Sequence, residues 1–385
     1  MMILLYISVG FLIYTSFILG MNLIDFKCLK NTIVPDSSEK PKVSICIPAR
    51  NEASVIERCV TSALKQNYPN FEVLVLDDQS TDGTGEILAK LSGIINNLIH
   101  IKGKEKPNDW LGKPWACHQL SKEASGEILI FIDADVWLDE DAIPKAVSEL
   151  SYVDAITVWP EQILDSFWEK QVIPLIYFAL YTLLPARYVE KEPKWLPAFL
   201  RNKLAPKFAA ACGQFIAFNK NAYSKINGHE SVKDQIIEDV ELAKNIKKSG
   251  LVLKMLQGVD LVYCKMYASN NELWNGLRKN FFVGFGKNIV FFLLMSILHL
   301  IVFVAPFFTF FYGFQTNSVE LLIWSSIAII LIFLQRASLN YCFKWDIYSS
   351  FTHAVGVLWF QALGIQCLTD HYAKKPVRWK GRKLN

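Results

Sequence analysis

The sequence predicts an α/β fold, a parallel sheet covered by helices, flanked by transmembrane helices at both ends. Three observations predict it. Short β-branched runs alternate with helical stretches from Pro41 to about Ala155. Val73-Leu74-Val75-Leu76 and Ile128-Leu129-Ile130-Phe131-Ile132 are continuous apolar runs, the signature of strands buried on both faces. Long uncharged stretches close both ends of the chain.

Met1 to Ile24 carries no charged side chain, and roughly 20 such residues cross a bilayer as a helix. With no basic n-region and no Ala-x-Ala-like exit, the run is expected to be an uncleaved anchor over 1–24. Lys27 and Lys30 follow at once, so the positive-inside tendency places the next domain, 41–286, in the cytosol of a multi-pass protein of the cell membrane.

Within that domain the pattern runs strand Val43 to Ile47, helix Ser54 to Gln66, strand Phe71 to Leu76, helix Thr84 to Leu91, helix Trp115 to Glu123 and strand Ile128 to Ile132. In such sheets ligands bind beyond the carboxyl ends of the strands. The polar clusters fall there: Pro48-Ala49-Arg50-Asn51-Glu52, Asp77-Asp78-Gln79-Ser80-Thr81-Asp82-Gly83 and Asp133-Ala134-Asp135. Gln171 to Ala186 is uncharged but broken by Pro174 and followed by Arg187, Lys191, Lys194, Arg201, Lys203 and Lys207. Interfacial helices near 167–207 are expected, a buried core helix being the alternative.

The second apolar block occupies 288–369. Ile289 to Tyr312 reads as one span and Leu321 to Gln335 as a shorter one returning the chain at Arg336 and Lys344. Ile347 to Thr369 is uncharged but holds His353, Gln361 and Gln366. Crossing there would put the basic tail 370–385 outside, against the positive-inside rule, so a re-entrant segment is the alternative to a span. A cytosolic tail follows from that alternative.

Composition excludes other classes. Of 385 residues 52% are hydrophobic and the formal net charge is +4, too little for a nucleic-acid binder of this size. The eight cysteines, Cys28, Cys46, Cys59, Cys117, Cys212, Cys264, Cys342 and Cys367, include no Cys-x-x-Cys pair; they are expected to be reduced and mostly buried. The P-loop, the Gly-x-Ser-x-Gly elbow and the His-Glu-x-x-His helix are missing.

Asp133 and Asp135 stand two apart at a strand end. Hard carboxylate oxygens suit Mg²⁺ or Mn²⁺, which take one or two carboxylates and substrate phosphates; a cap for the next helix is the structural alternative, for which Asp139 or Asp141 also qualify. Asp77-Asp78 ends a second strand, and one of the two serves an Asx-turn or cap, leaving the other for a ligand. Asn51-Glu52 is positioned to cap the helix near Ser54, and Arg50 to reach phosphate. Lys113 lies in a Gly/Pro-punctuated loop, Leu111-Gly112-Lys113-Pro114-Trp115, as a cation for a diphosphate. Glu238-Asp239 opens the helix Ile237 to Lys248, where the carboxylates either serve the dipole alone or are held ionised to accept a proton.

Val43-Ser44-Ile45-Cys46-Ile47-Pro48-Ala49-Arg50-Asn51-Glu52, Asp77-Asp78, Lys113, Asp133-Ala134-Asp135 and Ile237-Glu238-Asp239, in this order, resemble the signature of family 2 glycosyltransferases. The resemblance implies a GT-A (Rossmann-like) domain with a mixed, mostly parallel sheet, a nucleotide-sugar donor such as a UDP-sugar, and Mn²⁺ or Mg²⁺. It implies Asp78 on the base, Lys113 on the diphosphate, Asp135 on the metal and Asp239 as the base of an inverting single displacement. Pro48, Arg50, Glu52, Asp133, Gln214, Glu238 and Arg278 are implied as further substrate contacts. Ala211-Cys212-Gly213-Gln214, Gly228-His229 and the closing Val377-Arg378-Trp379-Lys380-Gly381-Arg382 resemble ceramide glucosyltransferases and bacterial carotenoid or hopanoid glycosyltransferases, implying a lipid-like acceptor. One departure matters: Asn275-Gly276-Leu277-Arg278-Lys279 stands where many relatives carry Gln-x-x-Arg-Trp. With too few spans for a polymer channel, it argues against processive polysaccharide synthesis, the competing reading; a nucleotide-sugar-binding subunit without turnover is the third.

Overall fold

The computed structural model describes residues 1–35, 40–373, 375 and 378–383. The chain forms two compact units. One comprises Phe26–Ile163 and Ala186–Met266; the other comprises Met1–Asp25, Leu164–Pro185 and the chain from Tyr267 onward.

Among its described residues the first unit holds ten strands: β1 Val43–Ala49, β2 Phe71–Asp77, β3 Leu98–Lys102, β4 Ile128–Ile132, β5 Val136–Leu138, β6 Ala155–Trp159, β7 Glu161–Gln162, β8 Phe215–Asn219, β9 Leu253–Gln257 and β10 Val262–Cys264. Seven make one sheet in the order β3-β2-β1-β4-β8-β6-β9, and β5-β10-β7 form a smaller one. In the large sheet only β8 runs antiparallel to its neighbours. The sheet is therefore mixed and mostly parallel, and the α/β expectation is met. All five residues of β4 are buried, as its unbroken apolar run requires. β3 was not anticipated. It is an edge strand whose Ile99 is exposed and whose His100 and Lys102 interrupt the apolar pattern.

Pro48 sits two residues beyond the last β1–β4 pair, Cys46 with Phe131. A residue without an N–H costs that ladder nothing there. The register brings Ala49 level with Asp77, so the loops after β1 and β2 emerge side by side.

The second unit is helical. Among the described residues, Met2–Asp25, Val319–Cys342 and Ile347–Tyr372 are long and apolar enough to cross a membrane. Asn270–Gly284 and Ile289–Phe303 are bent by 115° at their junction. Two expectations are corrected here. Ile289 to Tyr312 is not one helix: the chain breaks at Val304 (φ −120°, ψ −44°), just ahead of Pro306, into Ile289–Phe303 and Ala305–Gln315. The next helix does not end at Gln335 but runs to Cys342, with Arg336 fully buried rather than at a surface. Its guanidinium donates to the Lys170 carbonyl (2.8 Å) and to Asn340 (3.1 Å), while its buried Nη1 meets no acceptor among the described residues. Asn22 donates to the carbonyls of Tyr181 and Leu184, and Gln335 to Leu12, Thr15 and Ser16, polar ties of the kind that hold membrane helices together. Of the closing motif, Val377 lies outside the described residues, as does Lys374 of the basic tail; Arg378–Trp379 and Arg382–Lys383 pair antiparallel.

All eight cysteines are free thiols, six of them buried.

Candidate active site

A pocket opens in the first unit, lined by Pro48, Lys113, Cys117, Phe131, Ile132, Asp133, Gly213, Ile216, His229, Glu238, Asp239 and Leu242. Five residues singled out from sequence, Pro48, Lys113, Asp133, Glu238 and Asp239, thus meet in one cavity.

Lys113 is in the first turn of the helix Gly112–Glu123 rather than on the loop before it. Its Nζ lies 2.7 Å from Asp133 Oδ1 and 3.0 Å from Glu238 Oε1. The two carboxylates hold the ammonium well above its usual range against the opposing pull of burial, so it is a fixed positive charge.

Asp239 stands in the first turn of the helix Glu238–Lys248. Its Oδ1 accepts from the Val240 N–H and its Oδ2 from the Gly213 N–H, each at 2.8 Å. The approach is close: a Cβ on Gly213 would lie 3.1 Å from Lys113 Nζ and 3.2 Å from Asp239 Oδ2, so both side chains would have to give way slightly. Burial, and next the charge of Glu238, push the Asp239 carboxyl up to about 6, while Lys113 and the two N–H groups work the other way. A carboxylate so placed is ionised at neutral pH yet close to its own pKa, as a general base should be.

Asp135 follows β4. Its carbonyl accepts from Lys265 N–H (3.3 Å) and its carboxylate is met by the Cys264 thiol. Behind it Gln214 is buried: its Nε2 lies 3.0 Å from Cys264 Sγ, its Oε1 accepts from Gln162 Nε2 (2.8 Å), and its carbonyl accepts from Asp133 N–H (3.2 Å). Gln214 is therefore beneath the acidic pair rather than in the cavity. Among the described residues no group of three or more His, Cys, Asp or Glu is arranged to hold an ion alone. Asp133 and Asp135 are instead the sparse, hard donor set that fits Mg²⁺ or Mn²⁺, ions that complete their shell with phosphate oxygens and water.

The loops after β1 and β2 interlock. Arg50 donates to the carbonyls of Asp78 (2.5 Å) and Gln79 (3.1 Å). Asp77 Oδ1 accepts from Ser80 N–H (2.9 Å), and Asp82 takes the N–H groups of Ala53 (3.0 Å) and Thr84 (3.1 Å). Asp77 is thus the turn-maker of the pair, and Asp78 is buried beside Arg50. Asn51 does not cap the next helix, as expected, but at φ +53° accepts from Thr81 N–H (2.8 Å). The Glu52 N–H is bound by Thr84 Oγ1 (2.8 Å), and the Glu52 carbonyl, not its side chain, receives the Ile56 N–H (2.9 Å) that opens the helix. Arg278 belongs to the helical unit, where Nε and Nη2 both bind Asp370.

Sequence reasoning gave no role to His229, which is buried in the wall of the pocket with Tyr223 behind it. A histidine among apolar residues carries no periodic or spacing signal; only its place in the Gly228-His229 resemblance marked it.

Comparison with known proteins agrees with the fold. The family model described as "Glycosyl transferase family 2" matches residues 44–227. The 4,4'-diaponeurosporenoate glycosyltransferase of Staphylococcus haemolyticus is 27% identical over 247 residues, 63% of this chain and 61% of that protein. That of Staphylococcus aureus is 25% identical over 249 residues, 63% and 62%. The match thus spans about three fifths of the length of these relatives. Among solved structures, the mannosyltransferase PcManGT from Pyrobaculum calidifontis, in complex with GDP-Man and Mn²⁺, superposes with a TM-score of 0.51 at 18% identity, covering 97% of this chain and 99% of that one. The likeness is one of fold.

Proposed function

We propose that this chain, which belongs to glycosyl transferase family 2, transfers a single sugar from a nucleotide-sugar, a UDP-sugar by the sequence resemblance, to a membrane lipid or lipid-like acceptor by one inverting displacement. The observation that carries the reading is the Asp239 carboxylate, fixed by two backbone N–H groups in the wall of a pocket that also holds Lys113 and Asp133.

In this mechanism the acceptor oxygen attacks the anomeric carbon as the bond from that carbon to the β-phosphate oxygen breaks, and the bonding pair leaves with the diphosphate. The hydroxyl proton passes to an Asp239 oxygen. A carboxylate acceptor needs no such transfer. Lys113, already among carboxylates, faces the diphosphate as a pre-placed cation, and Asp78, buried at the end of β2, contacts the base with Arg50 bracing its loop. Mn²⁺ or Mg²⁺, held by Asp135 with Asp133, supplies Lewis-acid neutralisation of the leaving diphosphate when bound.

The named activity of the staphylococcal relatives, on an apolar acid, and the three helices suited to spanning support a lipid-like acceptor met at the membrane. In this reading 1–24 anchors the chain, 41–286 works at the cytosolic face and 288–369 crosses or re-enters the bilayer. Departure from Gln-x-x-Arg-Trp favours one sugar over a polymer.

The test is to supply the purified full chain in lipid with labelled UDP-sugars and membrane lipid extract, then weigh organic-phase products. One added hexose or N-acetylhexosamine per lipid is expected. Lengthening chains, or no product with any donor, would overturn the reading.

A further inference from the structure

The proposed mechanism leaves His229, a buried polar group of the pocket, unused. His229 lines the cavity alongside Glu238 and Lys113, and its ring packs edge-on to Phe131 of β4 at 4.7 Å. Its Nδ1 lies 2.7 Å from the Tyr223 hydroxyl. That hydroxyl oxygen also accepts from the backbone N–H of His229 at 3.0 Å. The Tyr223 hydroxyl thus holds the ring at Nδ1 and leaves Nε2 as its other polar edge.

The chain is shaped around this contact. Gly228 takes φ +43°, and a Cβ there would fall 2.2 Å from the Tyr223 ring. Any other residue would drive the tyrosine off the histidine. Phe131 stacks on Tyr223 at 5.5 Å, clamping the pair from the strand that ends at Asp133. Burial first, and Lys113 after it, hold the imidazole down to about 3 despite the pull of Glu238, so the ring stays neutral at any working pH.

A neutral imidazole is poorly matched to a diphosphate, which a cation serves better. Beside the Glu238 carboxylate its Nε2 suits a sugar hydroxyl, which can both donate and accept. We infer that His229, held at Nδ1 by Tyr223, hydrogen-bonds through Nε2 to a hydroxyl of the transferred sugar and so helps select the donor's sugar rather than its nucleotide. The inference rests on the proposed function above.

The experiment compares UDP with UDP-glucose and UDP-N-acetylglucosamine for binding to the full chain and to His229→Ala, His229→Gln and Tyr223→Phe. One neutral hydrogen bond predicts that His229→Ala weakens nucleotide-sugar binding about three- to tenfold, with UDP affinity within about twofold of the parent. His229→Gln, which keeps a donor, should recover most of the loss, and Tyr223→Phe should fall between. Equal losses for UDP and nucleotide-sugar, or no loss for either, would overturn the assignment and leave His229 a packing residue. A parent chain that binds none of the three would instead sink the proposed function, and this inference with it.

Discussion

Two acidic doublets of this chain look alike in sequence and behave differently in the fold. Asp77-Asp78 closes β2, and its first carboxylate is absorbed by the turn that follows, through the Ser80 N–H. Glu238-Asp239 opens a helix, and neither carboxylate is spent on a cap of the usual kind. Glu238 takes Lys113 while Asp239 is pushed up to about 6 by burial and by Glu238. Adjacent acids therefore do not make a base. Desolvation and the neighbouring Glu238 charge raise Asp239, while the Lys113 ammonium and the Val240 and Gly213 N–H groups hold it back.

The largest effect expected is from metal removal. If Asp135 brings a divalent ion to the diphosphate, exhaustive chelation should abolish transfer and Mn²⁺ or Mg²⁺ should restore it; full turnover after chelation would remove Asp135 from that role. Asp239→Asn should follow, with turnover down on the order of a hundredfold to ten-thousandfold and UDP affinity near that of the parent. Its stability should change little. A carboxyl raised in the folded state contributes stability below its unfolded pKa and loses it as pH rises through about 6, so at neutral pH the variant gives up a charge the fold does not favour. Parent-like turnover would return Asp239 to a purely structural role.

The fold was legible where burial is two-sided. β4 was bounded to the residue because all five side chains are buried. β3 was missed because an edge strand buries one face only and its alternation is broken by His100 and Lys102. Arg336 read as the end of a span because sequence cannot show the Lys170 carbonyl that receives it. At the site, residue types at strand ends pointed to the pocket. The division of labour within it was hidden, since Asp77 and Asn51 are sorted by which N–H groups the loops happen to aim at them and Glu52 by its backbone bonds to Thr84 and Ile56. His229 was invisible as chemistry for the same reason: its ring is held by a tyrosine six residues earlier.

The comparison sharpens through pH. The acid limb of kcat/KM, which reports the free enzyme, should have its midpoint near 6, with activity rising as Asp239 ionises. Lys113 lowers that pKa, so Lys113→Met should move the limb to higher pH and cut kcat/KM by about 10- to 100-fold, the worth of a charged hydrogen bond. A limb that stays in place would show that Lys113 does not act on Asp239.

The smallest effect separates the members of the first doublet. Asp77→Asn retains an oxygen that can accept the Ser80 N–H, so the turn should survive at a cost of at most about 1 kcal/mol, the typical worth of a side-chain cap. Nucleotide affinity should then stay within about twofold, because the carboxylate faces its own loop and the start of the helix Thr84–Ser92, where a Cβ on Gly85 would lie 2.7 Å from it. Asp78→Asn changes the buried carboxylate proposed for the base, and UDP should bind about tenfold or more weakly for the loss of a charge-assisted hydrogen bond. Titrating UDP into both variants and melting each gives the comparison directly. If Asp77→Asn weakens UDP as much as Asp78→Asn does, the two carboxylates act together and the doublet is a single binding element rather than a turn and a ligand contact.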